Sequence, residues 1–592
     1  MEGDEVMFES SVRNNAEPVL FNDKKYTFIV DTTSAAGSFS SGQIQFNLKT
    51  LSSQSQWQSL REMVVEFPIK ITAQVTTAAV IAGSPTITNG TFAGIDAAII
   101  KSGFHQWINS AQLIINGQTI QSTQQYENVA TTYRILSSWS QDTLKKWGPS
   151  TGIALDDMTG DSTASTATVD AVGLSSATFS NVAEGIRGFD AVNNQNSLSN
   201  RGIIARAKLN NNPITTTSVA GAILGQSQMI SSGMSNVSTF ASATSVTAAN
   251  QYIYVQYMMG TVRVRDLFDI DEFPLVKNLD GYMYLNVNGA TTILTGASAA
   301  TVSTNALSAA STTMNFGLTC PYLLNVSSVG VAGAQTATNG INFDAATGAT
   351  GTPTKCVVTV VGAVDGTKTT VANMTGGTAG GPLLTQARLI APYYSANPQV
   401  DAALTMNSHK FNTLEKIVNP ITVVAGGSTN YTITVGVPNP RKLVLLPMWT
   451  NLGGASLASP EISCFDTVPA TSGPFAYLNQ LQVYVANKPL FQYPVNYDFE
   501  MWNSQISSLG ANGNIVDELT SGLLTQQLWS QNHRFYTIDL QRRMESEDGS
   551  SKSVQVSFVN PSAAYGLKVI AIVFYEKSWT IDTALCNLSS YA

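Results

Sequence analysis

His105, His409 and His533 are the only imidazoles in a chain of 592 residues. Imidazole is the side chain best suited to taking and returning a proton near neutral pH, and it is the commonest metal ligand. None of the three has a second histidine or a carboxylate at metal-ligand spacing, so structural or surface roles are expected. His105 lies near a predicted strand start, His409 falls in a polar stretch read as a loop (NSHKFN), and His533 precedes a strand. Carboxylates gather in three places. Asp156-Asp157 with Asp161 (DDMTGD) offers oxygens to a calcium ion but lacks the other ligands and the glutamate of a calcium loop, so a solvated turn is expected. Asp269, Asp271 and Glu272 are conceivable general acids or bases. No nucleophile or base stands beside them, and a solvated face of a short amphipathic helix is the expectation. Glu545–Gly549 (ESEDG) reads as a polar turn between strands. Arg542-Arg543 just before it suits an ion pair better than a phosphate site.

The glycine pairs Gly376-Gly377 and Gly380-Gly381 lack the spacing and the following lysine of a phosphate loop. Cys320, Cys356, Cys464 and Cys586 are scattered without a CxxC or histidine partner, as expected of small buried hydrophobes. No catalytic, cofactor-binding or metal-ligating set emerges, and the chain reads as a non-enzyme without a cofactor.

Composition points elsewhere. Only 12% of the residues are charged, against about 25% in an average soluble protein. Neutral hydroxyls and amides cost less to desolvate than ions, so such a surface suits extensive contact with other subunits. The net charge of −8 argues against an overall electrostatic grip on nucleic acid. The start, MEGDEVMFESS, lacks the basic-then-apolar layout of a secretory signal. No run approaches 18 uninterrupted apolar residues, so no membrane span is expected.

The elements that would position any site are strands. Short alternating runs bounded by Gly, Pro and Asn turns recur through the chain, with few helical stretches, and predict an all-β protein of sandwich type. One unit occurs twice. Gln112–Asn128 (QLIINGQTIQSTQQYEN) and Gln482–Phe499 (QVYVANKPLFQYPVNYDF) each run strand, turn, strand, then a Tyr-acid pair opening a helix. An Asn-Gly between apolar runs, as at Asn116-Gly117, is a strong hairpin signal; its counterpart is the turn Ala486–Pro489. The echo lies about 370 positions downstream and predicts two copies of one β domain. Helical spacing follows the first hairpin over Glu127–Lys146, ended by Gly148-Pro149, and the second over Glu500–Leu509 and Leu519–Ser530. Pro68 within Val64–Ile71 predicts an edge strand or a bulge there. Residues 1–25 read as an arm, 26–288 as the first domain with an insertion at 150–250, 289–381 as an exposed insertion or connector, and 382–592 as the second domain.

Several long runs in order resemble the major capsid proteins of polinton-like viruses and virophages. They include Ala387–Thr405 (ARLIAPYYSANPQVDAALT), Pro438–Pro447 (PNPRKLVLLP), Val483–Trp502 with NKPLFQYPVNYDFEMW, Leu540–Phe558 and Val573–Thr583. In the first half Tyr26–Leu48, Trp57–Ile71, Trp107–Trp139 and Val262–Asn288 match, while most of 150–250 and 289–381 do not. The resemblance implies a double jelly-roll, two eight-stranded sandwiches standing upright on a capsid surface. It also implies homotrimeric, pseudo-hexagonal capsomers tiling an icosahedral virion shell made and assembled inside the host cell. Neighbouring capsomers, penton and minor capsid proteins would be the partners, with no sequence-specific nucleic-acid binding, and the insertions would be outer towers. The rival expectation is a β-rich adhesin, fibre or S-layer-like surface protein. That class predicts a secretion signal and tandem modules, and neither is legible here.

Overall fold

A computed structural model describes residues 21–32, 43–51, 56–75, 97–99, 103–155, 213–214, 237–240, 251–287, 290–296, 307–308, 322–324, 355–362, 387–405, 408–450, 477–508, 522–531, 533–540, 550–563 and 566–591. Sixteen strands carry the architecture. The first eight are β1 (Phe21–Val30), β2 (Gln43–Asn47), β3 (Val64–Val75), β4 (Ile108–Ile115), β5 (Gln118–Gln121), β6 (Gln251–Arg263), β7 (Gly281–Val287) and β8 (Arg388–Ala396). The second eight are β9 (Ser408–Val423), β10 (Ser428–Val437), β11 (Pro440–Thr450), β12 (Asn479–Val485), β13 (Lys488–Pro489), β14 (Tyr536–Asp539), β15 (Lys552–Val559) and β16 (Gly566–Asp582).

Pairing among these strands is antiparallel, and it repeats. The first set forms one sheet in the order β1-β8-β3-β6 and another in the order β2-β7-β4-β5. The second set forms β9-β16-β11-β14 and β10-β15-β12-β13. Adding eight to every strand of the first domain gives the second. Each is a jelly-roll, and the chain is a double jelly-roll.

Alternation explains the cores. In β7 every second residue is buried (Gly281, Met283, Leu285, Val287), and on the other sheet Val65 and Phe67 of β3 and Leu389 of β8 are fully buried. The second core sets Leu481, Val483, Val554 and Val556 against Leu443, Leu445, Val569 and Val573. A period of two turns one face of each strand inward, and removing that apolar face from water holds the two sheets together.

The two hairpins occupy the same place in their sandwiches. Asn116 and Gly117 take left-handed φ values of 47° and 76° between Ile115 and its partner Gln118. Ala486 and Asn487 do the same at 50° and 63° between Val485 and Lys488. Both are two-residue turns joining the fourth and fifth strands, so the second turn is shorter than the four residues expected. A helix follows each hairpin. After β5 come α1 (Glu127–Ser138) and α2 (Gln141–Thr151); after a short link between the sandwiches, α3 (Pro398–Thr405), and after β13, α4 (Phe499–Ser508) and α5 (Gln526–Gln531).

Several boundaries differ from the sequence reading. Arg388–Ala396, expected to open the second body at 382, is the closing strand of the first and inserts between β1 and β3. Phe21–Lys25, read as part of the arm, already belongs to β1; residues 1–20 lie outside the described residues. Part of the expected connector extends the first domain, because Ala290–Gly296 pairs with Lys355–Gly362, which pairs with β3. Pro68 sits neither on an edge strand nor at a bulge. Along that side of β3 the partner changes, from Arg388–Ile390 opposite Val64–Glu66 to Cys356–Gly362 opposite Ile69–Val75, and Pro68 falls in the gap where no N–H is demanded. The helix expected through Lys146 breaks at Trp139, and Ser140 caps the next one by accepting from the Thr143 N–H at 3.2 Å. Pro149 lies inside α2, which ends at Gly152 (φ 70°) instead of at Gly148-Pro149.

Candidate functional site at the joint between the sandwiches

Helix α1 leaves the first sandwich and is buried at all but one of its twelve positions. One side of it is tied to its own domain. Asn128 donates to Gln106 at 3.0 Å, and Gln106 and His105 both meet the Thr132 hydroxyl, at 2.8 and 2.7 Å. The Arg134 guanidinium donates to the carbonyls of Asp266 and Leu267.

Its other side lies on the outward face of the second domain's β9-β16-β11-β14 sheet. Lys416, Phe574 and Lys442 are cross-strand neighbours on that face. Glu127 meets Lys416 there with neither side chain exposed. Tyr133 lies 5.9 Å from the Phe574 ring and 5.4 Å from Phe535, and the Lys442 ammonium stands 5.3 Å over Tyr133 and 4.9 Å over Phe574. Thus α1 is a rod whose acidic first turn and aromatic middle are received by a basic and aromatic sheet.

The charges at this joint are shared beyond the pair. Glu127 also accepts from Gln121 at 3.1 Å and Thr131 at 3.3 Å, and Arg134 approaches it at 3.7 Å. Burial pushes the Lys416 ammonium down to about 8, with Glu127 pulling it up and Arg134 pushing it down. Next to Lys416, Glu415 accepts from the Ser122 N–H at 3.1 Å and from the hydroxyls of Ser122 and Tyr575, and pairs with Lys577. Burial alone would raise the Glu415 carboxyl, but Lys577, Ser122 and Tyr575 together hold it below the usual range.

Further clamps tie the sandwiches together. The Trp57 indole and the Lys277 ammonium both donate to Asp401 on α3, at 2.7 and 2.5 Å. The Lys277 N–H donates to the Thr583 carbonyl at 2.7 Å, and Asn278 donates to that of Ala584 at 2.9 Å. Phe273 packs edge-on against Phe411 at 5.2 Å.

The sequence candidates fall around this joint or away from it. Glu272 accepts from the Asn412 N–H at 3.0 Å, a bond between domains, and Asp271 pairs with Arg265 at 2.8 Å. Loss of water raises the Asp269 carboxyl although Arg134 and Lys442 oppose the shift. These acids follow a single helical turn at Val264–Leu267, shorter than the amphipathic helix expected. Burial holds His105 down to about 3, so it is neutral and serves as a hydrogen-bonding strut. His409 lies in β9, opposite Ile581, and not in a loop. His533 is buried. Cys586 is a buried free thiol, pushed up to about 11 by desolvation. Asp156, Asp157, Asp161, Arg542, Arg543, Glu545–Gly549, Gly376-Gly377, Gly380-Gly381, Cys320 and Cys464 lie outside the described residues. Among the described residues no group of three metal-binding side chains assembles, and no helix is long and apolar enough to cross a membrane.

Sequence reading missed Glu127, Glu415 and Lys416 as a unit. Only Glu415 and Lys416 adjoin in sequence, and Glu127 lies 289 positions from Lys416, so nothing local joins the three. Once buried, such charges need each other.

No protein-family model and no curated protein matches the chain. Solved structures do. A chain of the Sputnik virophage structure is 12% identical over 97% of this chain and 89% of that one, with a TM-score of 0.44. The mavirus major capsid protein is 10% identical over 96% and 90%, with a TM-score of 0.42. The Faustovirus major capsid protein is 9% identical over 95% and 91%, with a TM-score of 0.40.

Proposed function

We propose that the protein is a structural major capsid protein whose three copies form a pseudo-hexagonal capsomer tiling an icosahedral virus shell. The observation that carries this reading is the tandem repetition of one jelly-roll, strand for strand, with the two copies fused by a buried joint. Two equivalent units per chain let a threefold assembly present six similar units, and a rigid joint fixes the angle between them. The low charge supports the same reading, since a surface of hydroxyls and amides is cheap to cover with neighbours. The protein has no catalytic role in this account. Its partners are further copies of itself and the penton and minor capsid proteins, its place is the virion shell after assembly in the host cell, and the insertions form the outer surface.

Size-exclusion chromatography with light scattering tests the assembly. A trimer that goes on to form sheets or shells is expected. A protein that stays monomeric across the soluble concentration range and cleaves glycans, or attaches to cells as an adhesin does, overturns the proposal.

A further inference from the structure

The two jelly-rolls present the same sheet outward but do not cover it alike. On the second, α1 lies over Lys416, Phe574 and Lys442. On the first, the equivalent strand β1 turns Tyr26, Phe28 and Val30 outward, 57%, 55% and 45% exposed, while Ile29 between them faces the core at 5%. Beside them on β8 stand Ile390 and Arg388, in register with Phe28 and Val30, and the Arg388 guanidinium lies 5.0 Å over the Phe28 ring. Three apolar side chains at alternate positions of one strand make a strip of the aromatic and arginine character typical of interface cores. Left open, such a strand also invites edge-to-edge aggregation.

The helix that corresponds to α1 by its place after the fifth strand is α4. Where α1 is buried almost throughout, α4 keeps Glu500, Asn503 and Ser504 exposed, and the segment leading into it leaves Tyr493 70% exposed. Like α1, α4 is tied to its own domain on one side, where Trp502 and Ile506 enter the core and Gln505 accepts from the Asp539 N–H at 2.8 Å; among the described residues its other side and the β1 face are the pair left open. The engaged pair runs from the first domain to the second, so the free pair runs from the second domain to the first domain of another molecule. A head-to-tail contact of this kind closes into a ring when its rotation permits.

We infer that the β1 strip of Tyr26, Phe28 and Val30 receives the Gln492–Ser508 region of a second copy, repeating between chains the joint that α1 makes within one. This assignment rests on the trimeric capsomer proposed above and names the surface that builds it.

The test places the photo-crosslinker p-benzoylphenylalanine at Phe28, a change that keeps the aromatic bulk, in an equal mixture of isotopically light and heavy chains. Irradiation followed by peptide mass spectrometry is expected to join residue 28 of one isotope to residues 492–508 of the other. Phe28→Asp is expected to convert the trimer to a folded monomer. Crosslinks confined to single chains or mapping elsewhere, with the unsubstituted protein trimeric, overturn the surface and leave the capsomer standing. A trimeric, folded Phe28→Asp variant does the same. If the unsubstituted protein is monomeric, the capsomer falls and this inference with it. Should Phe28→Asp fail to fold, the crosslink map decides alone.

Discussion

The carboxylate of Glu127 and the ammonium of Lys416, one from each jelly-roll, meet with no exposed surface on either side chain. A buried ion pair is a costly way to join two domains, because both ions lose their water. What it provides is registry. A displaced α1 would leave two charges stranded, whereas a purely apolar contact could slide.

Removing one partner should therefore cost far more than removing both. Lys416→Met alone is expected to lower stability by about 3 kcal/mol, the low end for a broken buried pair, since Glu127 stays buried with only Arg134 at 3.7 Å as a cation. Adding Glu127→Gln should restore more than half of that loss. Thermal and denaturant unfolding of the single and double variants measure the difference, and equal losses in both would remove the pair from the joint.

Acid should weaken the joint's outer carboxylate clamps. The Glu415 and Asp401 carboxyls are held below their ordinary values of 4.5 and 3.8, Glu415 against its burial by Lys577, Ser122 and Tyr575, and Asp401 chiefly by Lys277. A depressed carboxyl stabilises the folded state fully above the unfolded value, and that stabilisation is lost as pH falls through the folded one. Stability contributed by these two groups is thus flat above pH 4.5 and declines below it. The Glu415→Gln variant should be less stable at pH 7 and show a shallower loss between pH 4.5 and 3. Urea midpoints taken across that range read the slope directly.

The second hairpin turn bends two non-glycine residues into left-handed conformations, Ala486 at φ 50° and Asn487 at φ 63°. Such a conformation costs an alanine roughly 1 kcal/mol. Transplanting the first turn's residues, Ala486→Asn with Asn487→Gly, should raise stability by about 1 kcal/mol and leave assembly unchanged. A lower melting temperature would mean that the bond Asn487 accepts from the Gln555 amide at 3.3 Å, lost with the glycine, is worth more than the strain.

Local chemistry in the chain sufficed for the hairpins, because Asn116-Gly117 writes its turn geometry into residue type, and the echo at Ala486-Asn487 shares the strand rhythm around it. The two-domain, all-β reading followed from that rhythm. Long-range partnership was not legible. Arg388–Ala396 looks like any strand, and only its register with β1 and β3 assigns it to the first domain instead of the one that follows it in sequence. Pro68 misled for a related reason: a proline needs a missing hydrogen-bond partner, and a change of partner strand supplies one as well as an edge does. The joint stayed hidden because Glu127 and Lys416 are 289 residues apart, and a lysine in a strand reads as solvated until the helix above it is in place.

Electron cryomicroscopy of the purified, unsubstituted protein reads the number and symmetry of its jelly-rolls in the assembly. Particles with threefold symmetry and six similar lobes in a hexagonal outline, two from each chain, are predicted. Two-lobed single chains at every concentration examined, or a ring built from another number of lobes, would contradict it.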